Sequence, residues 1–216
     1  MIGGEHFDIR VRESARSRRF RLTVGPHRPL ELVVPRGARD RDIDRVIHDH
    51  RRWIYAQATR AAEVARESPS LDLDRPGIVW IHLEPQAVDP ALTDAAAVGR
   101  WYRREARHRV TAMIEDEAAR LGVDYGSIAI RDQRTRWGSC SKRRTLSFNW
   151  RLVIAPEEVC RYVVVHELCH LRELNHSKAF WRLVDEAMPG WREHKRWLDV
   201  NGHELHGYEP ALSSAP

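Results

Sequence analysis

His166 and His170 stand four residues apart, with Glu167 directly after the first of them. On a helix, residues four apart lie one turn above each other, so both imidazoles can face one ion. Glu167 points about 100° away from His166. In this spacing a glutamate reaches a metal-bound water rather than the metal, and acts as general base. Neutral imidazole suits Zn2+, and a catalytic zinc keeps one coordination position open. In a chain with 12 histidines the pattern H-E-x-x-H also arises by chance. Its context argues against chance. The run Tyr162-Val163-Val164-Val165 buries the helix just before the motif. Histidines and a carboxylate turned inward must be satisfied, and a metal does so.

Two histidines do not complete such a site. Glu173 lies seven residues after His166, roughly 10 Å along a continuous helix. That is too far for all three groups to meet one ion at about 2 Å. Cys169 is one step off the histidine line and reads as a small apolar residue. His176 is better placed. If the helix ends near Arg172, the chain can turn at Leu174-Asn175, where asparagine tolerates a left-handed conformation. His176 then swings back, and Ser177 caps the next helix. Glu186, on that next helix, is the rival ligand. His194, His203 and His206 are expected at the surface.

The elements that position these residues are legible as patterns. Phe7, Ile9 and Val11 alternate with charged residues, as do Phe20, Leu22 and Val24, then Leu30, Leu32 and Val34. Period-two alternation predicts strands with one wet face, here a β-meander. Asp40 opens a helix with Ile43, Val46, Ile47, His50 and Ile54 on one stripe. This N-terminal part spans residues 1–68. Residues 69–93 are interrupted by Pro69, Pro76, Gly77, Pro85 and Pro90 and read as a connector, with Ile78–Leu83 as one short strand. A long helix follows from Asp94 to a stop at Gly122. Three short strands are expected at Ser127–Arg131, Thr135–Cys140 and Leu146–Trp150. Pro156 starts the motif helix, with Glu157 and Glu158 at the positive end of its dipole. Two more helices should cover Ser177–Met188 and Trp191–Val200. The main domain is therefore 94–202, and 203–216 reads as a flexible tail. The class is α+β.

Lysine and arginine exceed the acids by 36 − 31 = 5. That modest excess permits an anionic partner without demanding one. Six Lys or Arg residues fall between Arg131 and Arg144. With Trp137 among them, this stretch is a candidate nucleic-acid contact. Cys140, Cys160 and Cys169 are odd in number and match no paired-cysteine knuckle, so reduced thiols in the cytoplasm are expected. The opening MIGGEHFDIR carries charge where a signal peptide would be apolar, and no run approaches the ~18 residues of a membrane span.

The segments Arg136-Trp-Gly-Ser-Cys-Ser141, Leu146-Ser-Phe-Asn-Trp-Arg-Leu152, Ala155-Pro156, Tyr162 to His170, Asn175-His-Ser177 and Phe180-Trp181 resemble the YgjP-like metallopeptidase-domain proteins, relatives of the SprT-like and WLM zinc peptidases. The likeness is strongest from about Trp101 to Leu198 and weaker over residues 5–60. It implies a zincin-like catalytic domain: a long helix, a small mixed or antiparallel sheet and the motif helix. It implies Zn2+ held by His166, His170 and His176, with Glu167 as catalytic acid/base. The SprT-like relatives are linked to cleaving proteins bound to DNA.

The expected function is zinc-dependent hydrolysis of peptide bonds, with Glu167 as general base and a zinc-bound water. The strand through Arg136, Trp137 and Gly138 is a candidate substrate-binding edge, since Gly138 permits close backbone approach. Arg136, His194 and Tyr208 are candidates for stabilising the oxyanion. Two alternatives stand beside this: a metal-dependent nucleotide phosphoanhydride hydrolase, and a DNA-associated protein with structural zinc. The last would need a closed fourth ligand such as Cys169 or Glu186.

Overall fold

The structure, a computed structural model, describes residues 7–210. The expected tail from 211 to 216 and the first six residues lie outside it. The chain forms two compact units that divide between Leu71 and Asp72. The α+β class is the one observed.

In the first unit, strands β1 (Arg10–Ser14), β2 (Arg21–Gly25) and β3 (Arg28–Pro35) precede helix α1 (Asp40–Glu67). The sheet order is β1-β3-β2, with β1 parallel to β3 and β2 antiparallel to it. This corrects the expected meander. Only β2 and β3 are joined by a tight turn, at Pro26-His27, where His27 takes a positive φ of 52°. Residues 15–20 instead carry the chain across the end of the sheet. β3 takes the centre because it holds the apolar side chains: Leu30, Leu32, Val33 and Val34 are buried, whereas β1 is exposed along most of its length. On α1 the buried positions are Ile54 and Ala58, while His50 is exposed.

The second unit begins where a connector was expected. Strands β4 (Ile78–Ile81) and β5 (Glu84–Ala87) form an antiparallel hairpin. Val79, Trp80 and Ile81 are buried, and Trp80 donates through Nε1 to the Leu73 carbonyl at 2.9 Å. The hairpin turn, His82-Leu83, donates two backbone bonds to Val153 and Ile154. Prolines punctuate this stretch, but Val79, Trp80 and Ile81 belong to the core.

Helix α2 (Ala95–Leu121) is capped by Asp94, which accepts from the Ala97 amide at 2.6 Å, and ends at Gly122 with φ 61°. Its buried stripe, Val98, Tyr102, Ala106, Val110, Met113 and Ile114, repeats every three or four residues. Strands β6 (Ser127–Arg131), β7 (Gly138–Cys140) and β8 (Thr145–Asn149) form a mixed sheet of order β6-β8-β7. A 3-10 turn at Trp150–Val153 leads to helices α3 (Glu157–Cys169), α4 (Lys178–Ala187) and α5 (Trp191–Gly207).

The helical part of the expected tail is a correction. Helix α5 continues through Gly207, and Leu205 and Tyr208 are buried. The Tyr208 hydroxyl lies 3.1 Å from that of Tyr102, and the Tyr208 carbonyl accepts from Arg151 Nε at 3.1 Å. No helix among the described residues is long and apolar enough to cross a membrane.

Candidate metal centre and cleft

Helix α3 reaches the site as a buried rod: Val159, Cys160, Tyr162, Val163, Val164 and Val165 are all buried. It closes tightly after Cys169. Leu171 donates to the Leu168 carbonyl at 3.0 Å, and Glu173 to Cys169 at 3.1 Å. The chain turns here without a left-handed asparagine, since Asn175 has no positive φ. Ser177 caps α4 by accepting from the Phe180 amide at 3.3 Å.

The turn brings His176 back to His166 and His170. Ligand nitrogens of the three histidines all lie within 4.8 Å of one another. His166 Nε2 and His176 Nε2 are 3.0 Å apart. A tetrahedral ion with bonds of ~2.0–2.1 Å separates its ligands by roughly 3.3 Å, so these two nitrogens stand near ligand spacing. His170 Nδ1 faces the Glu173 carbonyl at 3.0 Å. A neutral imidazole donates there and leaves Nε2 as the free acceptor, the support metal-binding histidines usually have. Phe180 stacks on His170 with ring centroids 4.3 Å apart, and Trp181 stacks on His176 at 5.6 Å. Burial pushes the His166 pKa down to about 3, with His170 and His176 adding to the effect. All of this fits a divalent metal that takes neutral imidazoles.

The rival ligands stand elsewhere. Cys169 and Glu186 line a separate cavity of about 110 Å³ with Arg120 and Arg172. Burial raises the Cys169 thiol to about 11. Glu173 contributes its backbone carbonyl to His170 rather than a carboxylate to the centre.

A cleft of about 490 Å³ opens over the three histidines, walled on one side by Thr135–Cys140 and on the other by α3 and α5. Glu167 lines it, only 5% exposed, and its Oε2 is buried without a hydrogen-bond partner. Burial raises its pKa to about 8, and the positive charge of Arg136 pulls the other way. Gly138 lies directly against it. A Cβ at Gly138 would fall 2.5 Å from Glu167 Oε1 and 2.6 Å from its Cγ. The close approach expected at Gly138 is thus one by the glutamate side chain.

Trp137 lines the cleft and also packs on α5. It stacks on His206 at 4.0 Å, and a Cβ at Gly202 would come 3.0 Å from its indole. His206 is therefore a packing residue and not a surface histidine. The fully buried Asn149 steadies the approach to β7: its amide nitrogen donates to Gln133, and its backbone N–H to the Trp137 carbonyl at 2.8 Å. Arg136 is exposed and lines the cleft. Of the other oxyanion candidates, Tyr208 is buried beside Tyr102, and His194 does not line the cleft. Tyr162 and Lys195 do line it. Tyr162 sits one turn before His166, and burial raises its phenol. The i−4 spacing from His166 was the available signal, hidden inside an apolar run. Lys195 gave none; it pairs with Asp199 at 2.6 Å.

Opposite pKa shifts bound the stability of the metal-free chain. Burial depresses His166 to about 3 and His206 to about 4, so stability present above pH 6.5 is lost as pH falls toward those values. Glu167 is raised to about 8. Folded chain holds a proton that unfolded chain releases above about 4.5, so stability falls as pH rises from there to about 8. Between about pH 4.5 and 6.5 the two histidines outweigh the one glutamate, so thermal melts of metal-free protein should peak near pH 6.5 and decline toward 8, and Glu167→Gln should remove that alkaline decline. A monotonic rise to pH 8 in the unsubstituted chain would contradict this.

Residues 78–201 match the family described as YgjP-like, metallopeptidase domain, which is more than half of the chain. A stretch of 39 residues is 46% identical to the UTP pyrophosphatase of Escherichia coli strain K12 and covers 18% of this chain and 23% of that protein. The chain thus spans about a quarter of the curated relative it matches. Among solved structures, the metallopeptidase zymogen of Pyrococcus abyssi abylysin is 24% identical, covering 48% of this chain and 99% of that one at a TM-score of 0.39. The zymogen of Methanocaldococcus jannaschii jannalysin is 22% identical, covering 41% and 92% at a TM-score of 0.38.

Proposed function

This chain belongs to the YgjP-like metallopeptidase-domain family, and from that premise we propose that it is a zinc-dependent peptidase of the reducing cytoplasm. One observation carries the reading: three convergent imidazoles and a buried carboxylate share a single cleft beside an open strand edge. His166, His170 and His176 would hold the zinc. When bound, zinc supplies Lewis-acid polarisation of the scissile carbonyl and lowers the pKa of water toward ~7.

The chain's own groups do the rest. Glu167 takes the proton of the attacking water and returns it to the leaving amine. Its enclosed position keeps bulk water from competing for that proton. Among the described residues strand β7 pairs with β8 alone, which leaves its second edge to receive an extended peptide by strand addition. Arg136 and Tyr162 are the cleft's candidates for stabilising the oxyanion. Free Cys140, Cys160 and Cys169 agree with a reducing compartment.

Gly138 sets where Glu167 can stand, so Gly138→Ala should retain one zinc per chain while kcat falls about a hundredfold, the cost of misplacing a catalytic group by ~1 Å. Metal analysis beside steady-state kinetics checks it. An unchanged kcat would mean the carboxylate does not depend on that clearance.

A second reading, hydrolysis of a nucleotide phosphoanhydride, is favoured by Arg136 and Lys195 in the same cleft and by the name of the Escherichia coli relative. Arginine and lysine are suited to phosphate. A structural-zinc protein has less support, because Cys169 and Glu186 line a different cavity. The deciding experiment loads the full chain with zinc, then assays casein and UTP side by side, before and after removing the metal with 1,10-phenanthroline. Chelator-sensitive casein cleavage supports the peptidase. Chelator-sensitive release of pyrophosphate from UTP, with intact casein, replaces it with the second reading. Bound zinc with neither activity defeats both.

A further inference from the structure

Residues 1–71 contain 15 arginines and no lysine, against 10 acidic residues; residues 72–216 balance 21 basic against 21 acidic. The chain's whole net charge of +5 therefore belongs to the first unit. The excess gathers where the chain crosses from β1 to β2. Arg12 is tied to Glu31. Arg16, Arg18, Arg19 and Arg21 are exposed and form no ion pair among the described residues. With Phe20 they rim a concavity of about 610 Å³.

Phe20 also belongs to a neighbouring apolar groove of about 250 Å³, shared with Leu22, Val46, His50 and Trp53. Val46, His50 and Trp53 fall at i, i+4 and i+7 of α1, one face of the helix. Trp53 is 45% exposed, one of three large apolar side chains so exposed among the described residues. The two hollows thus meet at Phe20. One is basic and the other is floored by rings. Asp42 and Asp49, one turn before Val46 and Trp53, are acids bordering the stripe, so a ligand's negative charge belongs at the arginine end.

We propose that this surface binds single-stranded nucleic acid. The four arginines take backbone phosphates, and Phe20, His50 and Trp53 offer ring faces to unpaired bases. Arginine in place of lysine fits the chemistry, because the guanidinium meets phosphate with a planar fork and also stacks. A duplex hides its base faces and has no use for the aromatic floor. A membrane-inserting surface presents its apolar face outward, whereas between β1 and β2 the exposed side chains include Arg16, Arg18 and Arg19, and Phe20 is half-buried. An acidic peptide would satisfy the arginines and leave the rings unused. This surface belongs to the first unit and includes none of the three clustered histidines.

The test uses the full zinc-loaded chain and a fluorescein-labelled 12-nucleotide oligo-dT, followed by anisotropy from 50 to 200 mM salt. Binding is expected, with log K falling against log salt at a slope of about −2 to −3, or ~0.7 per phosphate contacted. Arg16→Ala/Arg18→Ala/Arg19→Ala should weaken it more than tenfold and flatten the slope. Trp53→Ala should weaken it about tenfold with the slope unchanged, and Trp53→Phe should restore most of it. Circular dichroism and melting of the variants should match the parent, since these side chains are exposed; single Arg18→Ala replaces the triple variant if that one melts early. The proposal is overturned by absence of binding at 50 mM salt or by equal affinity for a 12-base-pair duplex. It is overturned equally if polyglutamate competes as well as oligo-dT, if phosphatidylserine vesicles bind more tightly through the same residues, or if the loss follows Arg134→Ala/Arg143→Ala instead.

Discussion

Glu167→Gln is expected to leave one zinc bound per chain and to lower kcat by about 10³–10⁴-fold, the upper range for a lost general acid/base. The substitution keeps the shape of a side chain that is 5% exposed and sits against Gly138, so the cleft stays intact. It removes the carboxylate that lies against Gly138 and can accept a proton and return it. His166, His170 and His176 converge without any contribution from Glu167, which is why metal content should not follow activity down. Steady-state rates on casein and UTP, paired with metal analysis of the same preparation, separate the two quantities. If either hydrolysis persists at the parental rate, the proton-transfer role of Glu167 is lost for that reaction.

His176→Ala is the second large effect, and it acts on metal rather than rate. Losing a group that merely supports a ligand typically costs ~10–100-fold in metal affinity; losing the ligand itself should exceed that. His176 shares its nitrogen-to-nitrogen approach with His166 at 3.0 Å, while the candidate substitutes Glu186 and Cys169 line the small cavity beside Arg120 and Arg172. Competition against a chromophoric chelator should therefore show a drop beyond a hundredfold for His176→Ala, and no change for Glu186→Ala or Cys169→Ala. Parental affinity in His176→Ala, or a large drop in Glu186→Ala, would reassign the third ligand.

What could be read in the sequence was local. The helix rise alone excluded Glu173, and Ser177 announced the cap that follows the turn. Both rest on geometry over a few residues. The turn itself was reached differently: 3-10 bonding at Leu171 does what a left-handed Asn175 was expected to do. The features that sequence missed depend on distant partners. Strand order in the first unit follows from which strand is most apolar and from a crossover link, not from alternation. Tyr208 and His206 lie in a stretch without periodicity, yet Tyr102 and Trp137 hold them. Gly138 was legible as a place of close approach, but the approaching group, Glu167, comes from another element 29 positions on.

The burial of Tyr208 redraws the boundary of any excised catalytic fragment. The family match ends at residue 201, and a fragment trimmed there would discard Leu205, His206 and Tyr208. Tyr102 would lose its hydroxyl partner, Arg151 its carbonyl acceptor and Trp137 the ring it lies on. Since Trp137 directly precedes Gly138, loosening would spread to the wall that fixes Glu167. A fragment meant to carry the chemistry should run from residue 72 to 210. Homology would mark too short a piece, and solubility screens of nested C-terminal deletions should show a sharp fall between ends at 210 and 201.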